Sequence, residues 1–426
     1  MRAIYGWLVL GLLVAPAVLG APPAPTTVLR CAAAIDVVHG TRIEHPVILI
    51  RDGRIAAMGS DLAAPEGAVI IDLPGVTVLP GLIDAHTHLL IALEPDLGDE
   101  NTNFVVQLST EEPASRALLG AAMAREMLEG GFTAVRDVGN SGHHGDVALR
   151  DAIARGWVPG PRMIVSTRAL APPGGQFSRL ATLSRQLARE EYVEITGVDE
   201  ARRAVRQAVF DGATIIKVIV DAATMLSPAE LEAIVQEAHQ NGLKVAAHAV
   251  ADEAVRRAAR AGVDSIEHAY SAPDDALRMM AEKKIFLVPT DFPPDTKIGS
   301  PEQVATERKR LERAVALGVP IAAGSDVYYR QARLTRSESA KLMFRAYAAA
   351  GMTPAAILRA ATIDAARLLG LDKDIGTLEV GKYADIIAVD TDPLADVRAL
   401  EHVNFVMKGG VVYKDTHTNP RQASTE

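Results

Sequence analysis

Residues 214–248 have the sequence TIIKVIVDAATMLSPAELEAIVQEAHQNGLKVAAH, and this stretch decides the fold. Its first residues are apolar except for one threonine and one lysine, which is typical of a strand buried on both faces. Ser227 and Pro228 then begin an amphipathic helix that ends at Gly242, because serine caps a helix and proline suits its first turn. A second apolar strand follows at 244–247. This succession predicts a parallel βαβ unit.

The same alternation extends in both directions from this unit. Apolar strands are predicted at 82–85, 132–137, 162–166, 214–220, 244–247, 265–267, 285–289 and 320–323, with helical patterns between them. A last helix is predicted at 353–369. Eight strands alternating with helices over about 290 residues favour a closed (β/α)8 TIM barrel, an α/β fold, over an open sheet.

Short strand patterns at both chain ends predict a second, smaller unit. We expect a β-sandwich module built from residues 22–79 and 375–415, beside a barrel that occupies 80–374. The polar residues 416–426 predict a disordered tail.

The amino terminus resembles a secretory signal peptide over residues 1–21. Arg2 precedes an apolar run from Trp7 to Leu19, and small residues follow it. A membrane anchor is the alternative, but the run is shorter than the roughly 20 residues that a spanning helix needs. We therefore expect a protein secreted or exported to the periplasm, with no membrane attachment in its mature form.

Composition excludes several classes of function. The net charge of −9 makes nucleic acid an unfavourable partner, and aromatic residues make up only 4% of the 426 residues. Cys31 is the single cysteine, so no intrachain disulfide can form.

Two histidines stand at the end of the first barrel strand, in the segment Asp84-Ala85-His86-Thr87-His88. Strand side chains alternate between faces, so His86 and His88 point to the same side. Two neutral imidazoles in this position suit a divalent metal such as zinc. A pair of solvated loop histidines is the alternative.

Four more titratable residues end or interrupt predicted strands: Lys217, His248, His268 and Asp326. Lys217 lies inside an apolar run, where a charge is costly unless it is paired or chemically changed. A lysine reaching to water from a strand end is the alternative. If the barrel is correct, all these side chains meet at its carboxyl-terminal mouth, where barrel enzymes place their active sites.

The chain resembles the amidohydrolase superfamily. The resemblance rests on the residues already described, on Gly324-Ser325-Asp326, and on the two segments LPGLIDAHTH (79–88) and GTLEVGKYAD (376–385). Within the superfamily the chain is similar to binuclear-zinc secreted dipeptidases of the prolidase and Xaa-Arg/Lys types, near the amidohydrolases that hydrolyse ochratoxin A.

The resemblance implies a role for each of these residues. His86 and His88 would bind one metal, and His248 and His268 the second. Lys217, carboxylated on its side-chain nitrogen, would bridge two zinc ions, with other divalent ions as alternatives. Asp326 would contact the first metal and act as the catalytic base for a metal-bridging hydroxide.

Substrate contacts are expected in the loops after the strands. Arg136, His143 and Tyr270 are the candidates, with His144 as a further one. Arg136 has the alternative of pairing with a neighbour in the barrel. The Pro- and Gly-rich loop 171–189 is either a lid or a plain surface excursion.

These residues predict a metal-dependent amide hydrolase that cleaves small molecules, either dipeptides or N-acyl amino acids. Ochratoxin A, which would yield ochratoxin α and phenylalanine, is one possible substrate. Two alternatives stay open: a cyclic-amide hydrolase of the imidazolonepropionase kind, and a metal-binding barrel without catalytic activity. The resemblance also implies a homo-oligomer, such as an octamer.

Overall fold

The computed structural model describes residues 26–94, 97–296, 300–331 and 333–417. The predicted signal peptide and residues 418–426 of the predicted tail lie outside them. In this described part of the chain, no helix is both long enough and apolar enough to span a membrane.

Parallel strands and helices form the barrel part of the chain, between short strands at both chain ends, as the sequence predicts. The strands are β1 (Thr27–Asp36), β2 (Thr41–Glu44), β3 (Val47–Arg51), β4 (Arg54–Gly59), β5 (Val69–Pro80), β6 (Leu82–Thr87), β7 (Phe132–Asp137), β8 (Arg162–Val165), β9 (Ala169–Ala171), β10 (Tyr192–Glu194), β11 (Ile216–Ile219), β12 (Val245–Ala249), β13 (Ser265–His268), β14 (Phe286–Val288), β15 (Ile386–Val389), β16 (Val403–Lys408) and β17 (Val411–Asp415). The α-helices are α1 (Glu100–Thr110), α2 (Pro113–Glu129), α3 (Gly145–Ala154), α4 (Arg185–Glu191), α5 (Val198–Phe210), α6 (Pro228–Gln240), α7 (Asp252–Ala261), α8 (Asp274–Lys283), α9 (Pro301–Ala316), α10 (Arg336–Lys341), α11 (Met343–Ala349), α12 (Pro354–Ala360) and α13 (Ile363–Leu369).

The β module draws its strands from both chain ends. Its strands form one hydrogen-bonded sheet in the order β17-β16-β15-β5-β1-β3-β4, with β2 paired to β1. Strand β5, from the amino-terminal part, pairs antiparallel with β15, from the carboxyl-terminal part, so that Leu79 lies opposite Ile387. Strands from both ends of the chain are therefore needed to form this one sheet.

The barrel consists of two parallel sheets that hydrogen bonds join into a ring. One sheet has the order β10-β9-β11-β12-β13-β14, and the other β6-β7-β8. The amide of Thr214, just before β11, donates a hydrogen bond to the carbonyl oxygen of Val165 at the end of β8, which connects these two strands. Residues 320–323, predicted as the eighth strand, form only an isolated bridge at Ile321. They nevertheless close the ring, because Ala85 donates to the carbonyl of Ala323.

Helix α6 begins and ends as its sequence predicts. The Ser227 hydroxyl accepts from the amide of Glu230, and the Glu230 carboxylate bonds back to Ser227, a capping box that satisfies free amides of the first turn. The predicted helix 353–369 is instead two helices, α12 and α13. They are separated at Thr362, whose φ of −134° and ψ of −97° are not helical.

A single residue, Gly81, connects the β module to the first barrel strand. A Cβ atom at this position would lie 2.1 Å from Oγ1 of Thr133 on the neighbouring strand β7. Only glycine fits here, because this close approach leaves no space for a side chain. Strand β5 thus runs almost directly into β6, the strand that carries His86.

Candidate active site

The six predicted metal-ligating residues lie around one cavity of about 290 Å³ at the carboxyl ends of the barrel strands. Strands β6, β11, β12 and β13 supply four of them, His88 directly follows β6, and Asp326 follows the closing segment 320–323. All six line the cavity: His86, His88, Lys217, His248, His268 and Asp326. The structure therefore brings all six residues together around one cavity, and their roles as metal ligands stay predictions.

The carboxylate of Asp326 lies at the centre of the cluster. Its Oδ1 atom is 3.4 Å from Nε2 of His86 and 3.2 Å from Nε2 of His88. Its Oδ2 atom is 3.8 Å from Nδ1 of His268. The imidazole of His248 stacks edge-on against that of His268, with ring centroids 4.6 Å apart. One ligand atom each from His86, His268 and Asp326 lie within 4.8 Å of one another, a spacing that could hold a metal ion.

Hydrogen bonds on the far side of two imidazoles orient both rings. Nδ1 of His86 lies 2.7 Å from a carboxylate oxygen of Glu267, and Nδ1 of His88 lies 2.9 Å from the carbonyl oxygen of Gly139. Because both partners accept, each Nδ1 carries a proton, and each Nε2 faces the carboxylate of Asp326. Metal-binding histidines are commonly held in this way.

Burial keeps most of these imidazoles uncharged. It lowers the pKa values of His86, His248 and His268 well below the usual range, and neighbouring positive groups act in the same direction. A neutral imidazole is the form that binds a metal ion.

Lys217 is buried in the same cavity, with 3% of its surface exposed. Its ammonium group makes no hydrogen bond to any other residue that the structure describes. Burial lowers its pKa to about 8. An unpaired buried ammonium is unfavourable, so this position suits a lysine that has a bound metal or a chemical modification as its partner.

Four residues of the cavity wall have left-handed backbone conformations: Asn140, His268, Thr290 and Asp326, with φ values of 59°, 68°, 59° and 54°. Each such residue costs on the order of 1–3 kcal/mol unless its surroundings compensate. Such conformations concentrate at functional sites, where they aim side chains that a regular strand would direct elsewhere.

Arg136 was predicted to contact substrate, and this prediction is wrong. The residue is fully buried below the cavity, and its guanidinium group donates to both carboxylate oxygens of Glu267 at 2.8 and 2.9 Å. It also donates to Ser265 and to the carbonyl of Ala85. The alternative, a partner within the barrel, is the observed arrangement.

Glu267 is a residue that the sequence interpretation missed. It is fully buried, and its carboxylate bonds to both Arg136 and His86. Glu267 therefore fixes the His86 ring against the barrel interior. Ser265 and Glu267 are two residues apart on β13, and a polar pair with this period inside a buried strand was the available signal.

Of the other predicted substrate contacts, one lies at the cavity and two pair with acidic residues elsewhere. Tyr270 lines the cavity, and its hydroxyl lies 2.9 Å from that of Thr290. His143 is not part of the cavity wall among the described residues, and its exposed ring pairs with Glu190 at 3.0 Å. His144 likewise pairs with Asp211.

Helix α1 and the loop after β9 supply wall residues that were not predicted. Glu100 and Phe104 come from α1, and Gln176 comes from the Pro- and Gly-rich loop. Nε2 of Gln176 lies 3.4 Å from both ring nitrogens of His248, so this loop does reach the cluster.

Gly324 brings strand β6 and the Asp326 segment close together, and we expect Gly324→Ala to disrupt the cluster. The new Cβ would lie 2.4 Å from Cγ1 of Val288 and 2.9 Å from Cβ of His86. Overpacking of this kind costs about 1–3 kcal/mol, and here it would also displace a predicted ligand. Bound metal per chain and the midpoint of thermal unfolding should both fall.

Gly197→Ala is the matched control, because a Cβ at this position meets nothing within 4 Å. Unchanged metal content in Gly324→Ala would contradict the expected displacement of His86.

A (β/α)8 barrel with imidazole, lysine and aspartate side chains at the carboxyl ends of its strands defines a metal-dependent hydrolase. The sequence profile of the amidohydrolase family matches residues 77–413, and the chain belongs to this family. It is an amide-hydrolysing enzyme.

Relatives with several substrates share the fold and most of the chain length. The chain is 28% identical over 430 aligned positions to the ochratoxinase of Aspergillus niger, covering 89% of this chain and 85% of that protein. It is 28% identical to the imidazolonepropionase of Symbiobacterium thermophilum, covering 85% and 87%. The crystal structure of a Xaa-Pro dipeptidase with bound methionine superposes with a TM-score of 0.79 at 28% identity, covering 91% and 100%.

Proposed function

We propose that the enzyme hydrolyses the amide bond of dipeptides or N-acyl amino acids with the help of two divalent metal ions, zinc in the first instance. The observation that carries this proposal is the convergence of six ligand-type side chains, with the buried Lys217 among them, on one cavity. The relatives described as an ochratoxinase and a Xaa-Pro dipeptidase support the choice of substrate class.

In this proposal the donor set serves two metal ions. His86 and His88 would hold one, and His248 and His268 the other. Lys217 would lie between them as a carbamate, and Asp326 would complete the first site. Bound metals lower the pKa of a water molecule and polarise a carbonyl group, which is the chemistry that amide hydrolysis needs.

Asp326 is the proposed general base. Its carboxylate is held among the imidazoles and retains 17% exposure, so it faces the cavity where substrate would lie. It takes the proton of the attacking water and passes it to the departing amine. Acid–base catalysis of this kind contributes about 10²–10⁴-fold to a rate.

The cavity also offers polar groups for the amine half of the substrate. Tyr270, Gln303 and Gln331 line it. We keep Tyr270 as a proposed substrate contact, because its hydroxyl is held at the cavity by Thr290.

We expect Lys217→Met to separate folding from metal binding. The substitution removes a buried ammonium that has no hydrogen-bonding partner, so the metal-free protein should unfold at the same temperature or a higher one. Metal content should fall from two ions per chain to one or none, and turnover should be lost. Elemental analysis and thermal unfolding measure the two effects, and Lys284→Met, on the exposed end of α8, is the control.

The proposal is tested by a hydrolysis screen of dipeptides, N-acyl amino acids, ochratoxin A and cyclic amides with zinc-loaded and chelator-treated protein. Hydrolysis by the loaded form alone, with about two metals per chain, is the expected result. Cleavage of cyclic amides only, with one metal per chain, would favour the imidazolonepropionase-like alternative. Absence of hydrolysis of every compound in the screen would overturn both proposed substrate classes.

Export and self-association are part of the proposal. The apolar segment within residues 1–21 supports secretion, which amino-terminal sequencing of the mature protein tests. A homo-oligomer, such as an octamer, is measured by light scattering.

A further inference from the structure

A second cavity, also of about 290 Å³, opens beside the cavity that holds the histidine cluster. Glu100, Phe104 and Gln176 line both cavities and form the junction between them. Gln176 at this junction touches the ring of His248. The second cavity therefore begins directly beside the cluster.

Three of the six described residues that line this second cavity are aromatic. The rings of Phe104 and Phe177 meet edge to face, with centroids 6.2 Å apart, and those of Phe177 and Tyr192 meet in the same way at 6.1 Å. Such a wall presents both ring faces and ring edges, which is the environment that another aromatic ring prefers.

Hydrogen bonds hold this wall in place. The Tyr192 hydroxyl donates to the side-chain carbonyl of Gln176 at 3.1 Å, and the backbone amide of Ser178 donates to the side chain of Asn101 at 2.9 Å. Tyr192 itself belongs to β10, which pairs with β9. Helix α1, the loop after β9 and the barrel sheet are thereby joined around a preformed cavity.

Charge at the junction is negative. Glu100 lies there, and the carboxylate of Asp326 faces the same space. Among the described residues that line the two cavities, Lys217 is the only lysine or arginine. An ammonium group at the junction would be attracted, and a carboxylate would be repelled.

We propose that the second cavity binds the aromatic side chain of the acyl half of the substrate, and that Glu100 binds the free α-ammonium group of that same residue. This inference rests on the proposed dipeptide hydrolysis. In an amino-terminal residue, the side chain and the ammonium group branch from the atom next to the scissile carbonyl. At the junction, the aromatic cavity is positioned for the side chain and the Glu100 carboxylate for the ammonium group, immediately beside the cluster.

Kinetics with zinc-loaded enzyme form the first arm of the test. Phe-Gly should exceed Ala-Gly in kcat/KM by about 10–100-fold, the range that hydrophobic pockets achieve. Phe177→Leu should reduce this ratio at least about fivefold, a loss smaller than the whole preference because leucine fills part of the space. Phe177→Leu should change kcat/KM for the reversed dipeptide Gly-Phe little. Trp157 is an exposed aromatic residue outside both cavities, so Trp157→Ala should leave the ratio of kcat/KM for Phe-Gly to that for Ala-Gly unchanged.

Binding to metal-free protein forms the second arm and needs no turnover. 2-Phenylethylamine carries the proposed ammonium and ring but no amide, so calorimetry should show tighter binding of it than of ethylamine. Glu100→Gln should weaken its binding, while Phe177→Leu should narrow the difference between the two amines.

The outcomes distinguish this inference from the proposed function. Equal kcat/KM for Phe-Gly and Ala-Gly, with hydrolysis of both, would overturn the aromatic subsite and leave dipeptide hydrolysis standing. Equal binding of the two amines would overturn it as well. Failure to hydrolyse any dipeptide, despite tight binding of 2-phenylethylamine, would overturn the proposed function and with it the assignment of this cavity to an acyl half.

Discussion

Asp326→Asn should lower kcat about 10²–10⁴-fold while metal content stays near two ions per chain. Asparagine has the shape of aspartate and keeps an oxygen atom that can face His86 and His88, but it cannot take a proton from water. Substrate affinity should change far less than turnover, because the lost interaction belongs to the transition state.

Steady-state kinetics on a dipeptide, combined with elemental analysis of the same preparation, measure this effect. Asp61→Asn is the matched control, because this aspartate is exposed in the β module. Turnover close to that of the unmodified enzyme, with both metals bound, would remove Asp326 as the base.

The second large effect is expected from Glu267→Ala, which should lower the free energy of unfolding by about 3–5 kcal/mol. The substitution leaves the guanidinium group of Arg136 buried without its carboxylate partner, and such an uncompensated charge is strongly destabilising. Chemical denaturation of the metal-free protein measures the change.

The double variant Arg136→Met with Glu267→Leu is the control for this effect. It removes both charges, so most of the stability should return. His86 still lacks its Nδ1 partner in the double variant, and metal affinity should remain about 10–100-fold weaker. Recovery of full metal affinity would show that Glu267 does not position His86.

The six cluster residues could be predicted because each one interrupts or ends an apolar strand. His248, for example, follows the apolar residues 245–247 of β12 and His268 ends β13, and in a parallel barrel all such strand ends meet at one mouth. The alternation of strand and helix, confirmed by the structure, was enough to bring together residues separated by more than half of the chain.

The ion pair between Arg136 and Glu267 could not be predicted from the sequence. Strand periodicity indicates that a side chain faces inward, but not how deep in the barrel it lies. Arg136 ends up below the cluster, where only a carboxylate partner makes its burial tolerable. A charged residue inside an apolar strand therefore predicts either a functional site or a buried ion pair. Only the identity of its partner distinguishes the two.

The second cavity was beyond the reach of sequence patterns for a different reason. Its wall joins α1, a loop and β10, and Phe104, Phe177 and Tyr192 show no common period. Left-handed residues such as Asp326 also carry no signal, because their backbone conformation is imposed by the surrounding barrel.

The pairing of β5 with β15 has a consequence for the order in which the molecule can be completed. A chain that emerges amino terminus first, from a ribosome or through a membrane channel, presents β5 roughly 300 residues before β15 appears, a delay of about 15–60 s at ordinary rates of synthesis. Throughout that interval one edge of β5 is open to foreign strands. Because Gly81 alone separates β5 from β6, the first barrel strand continues directly from a strand whose pairing is completed only by a late segment of the chain.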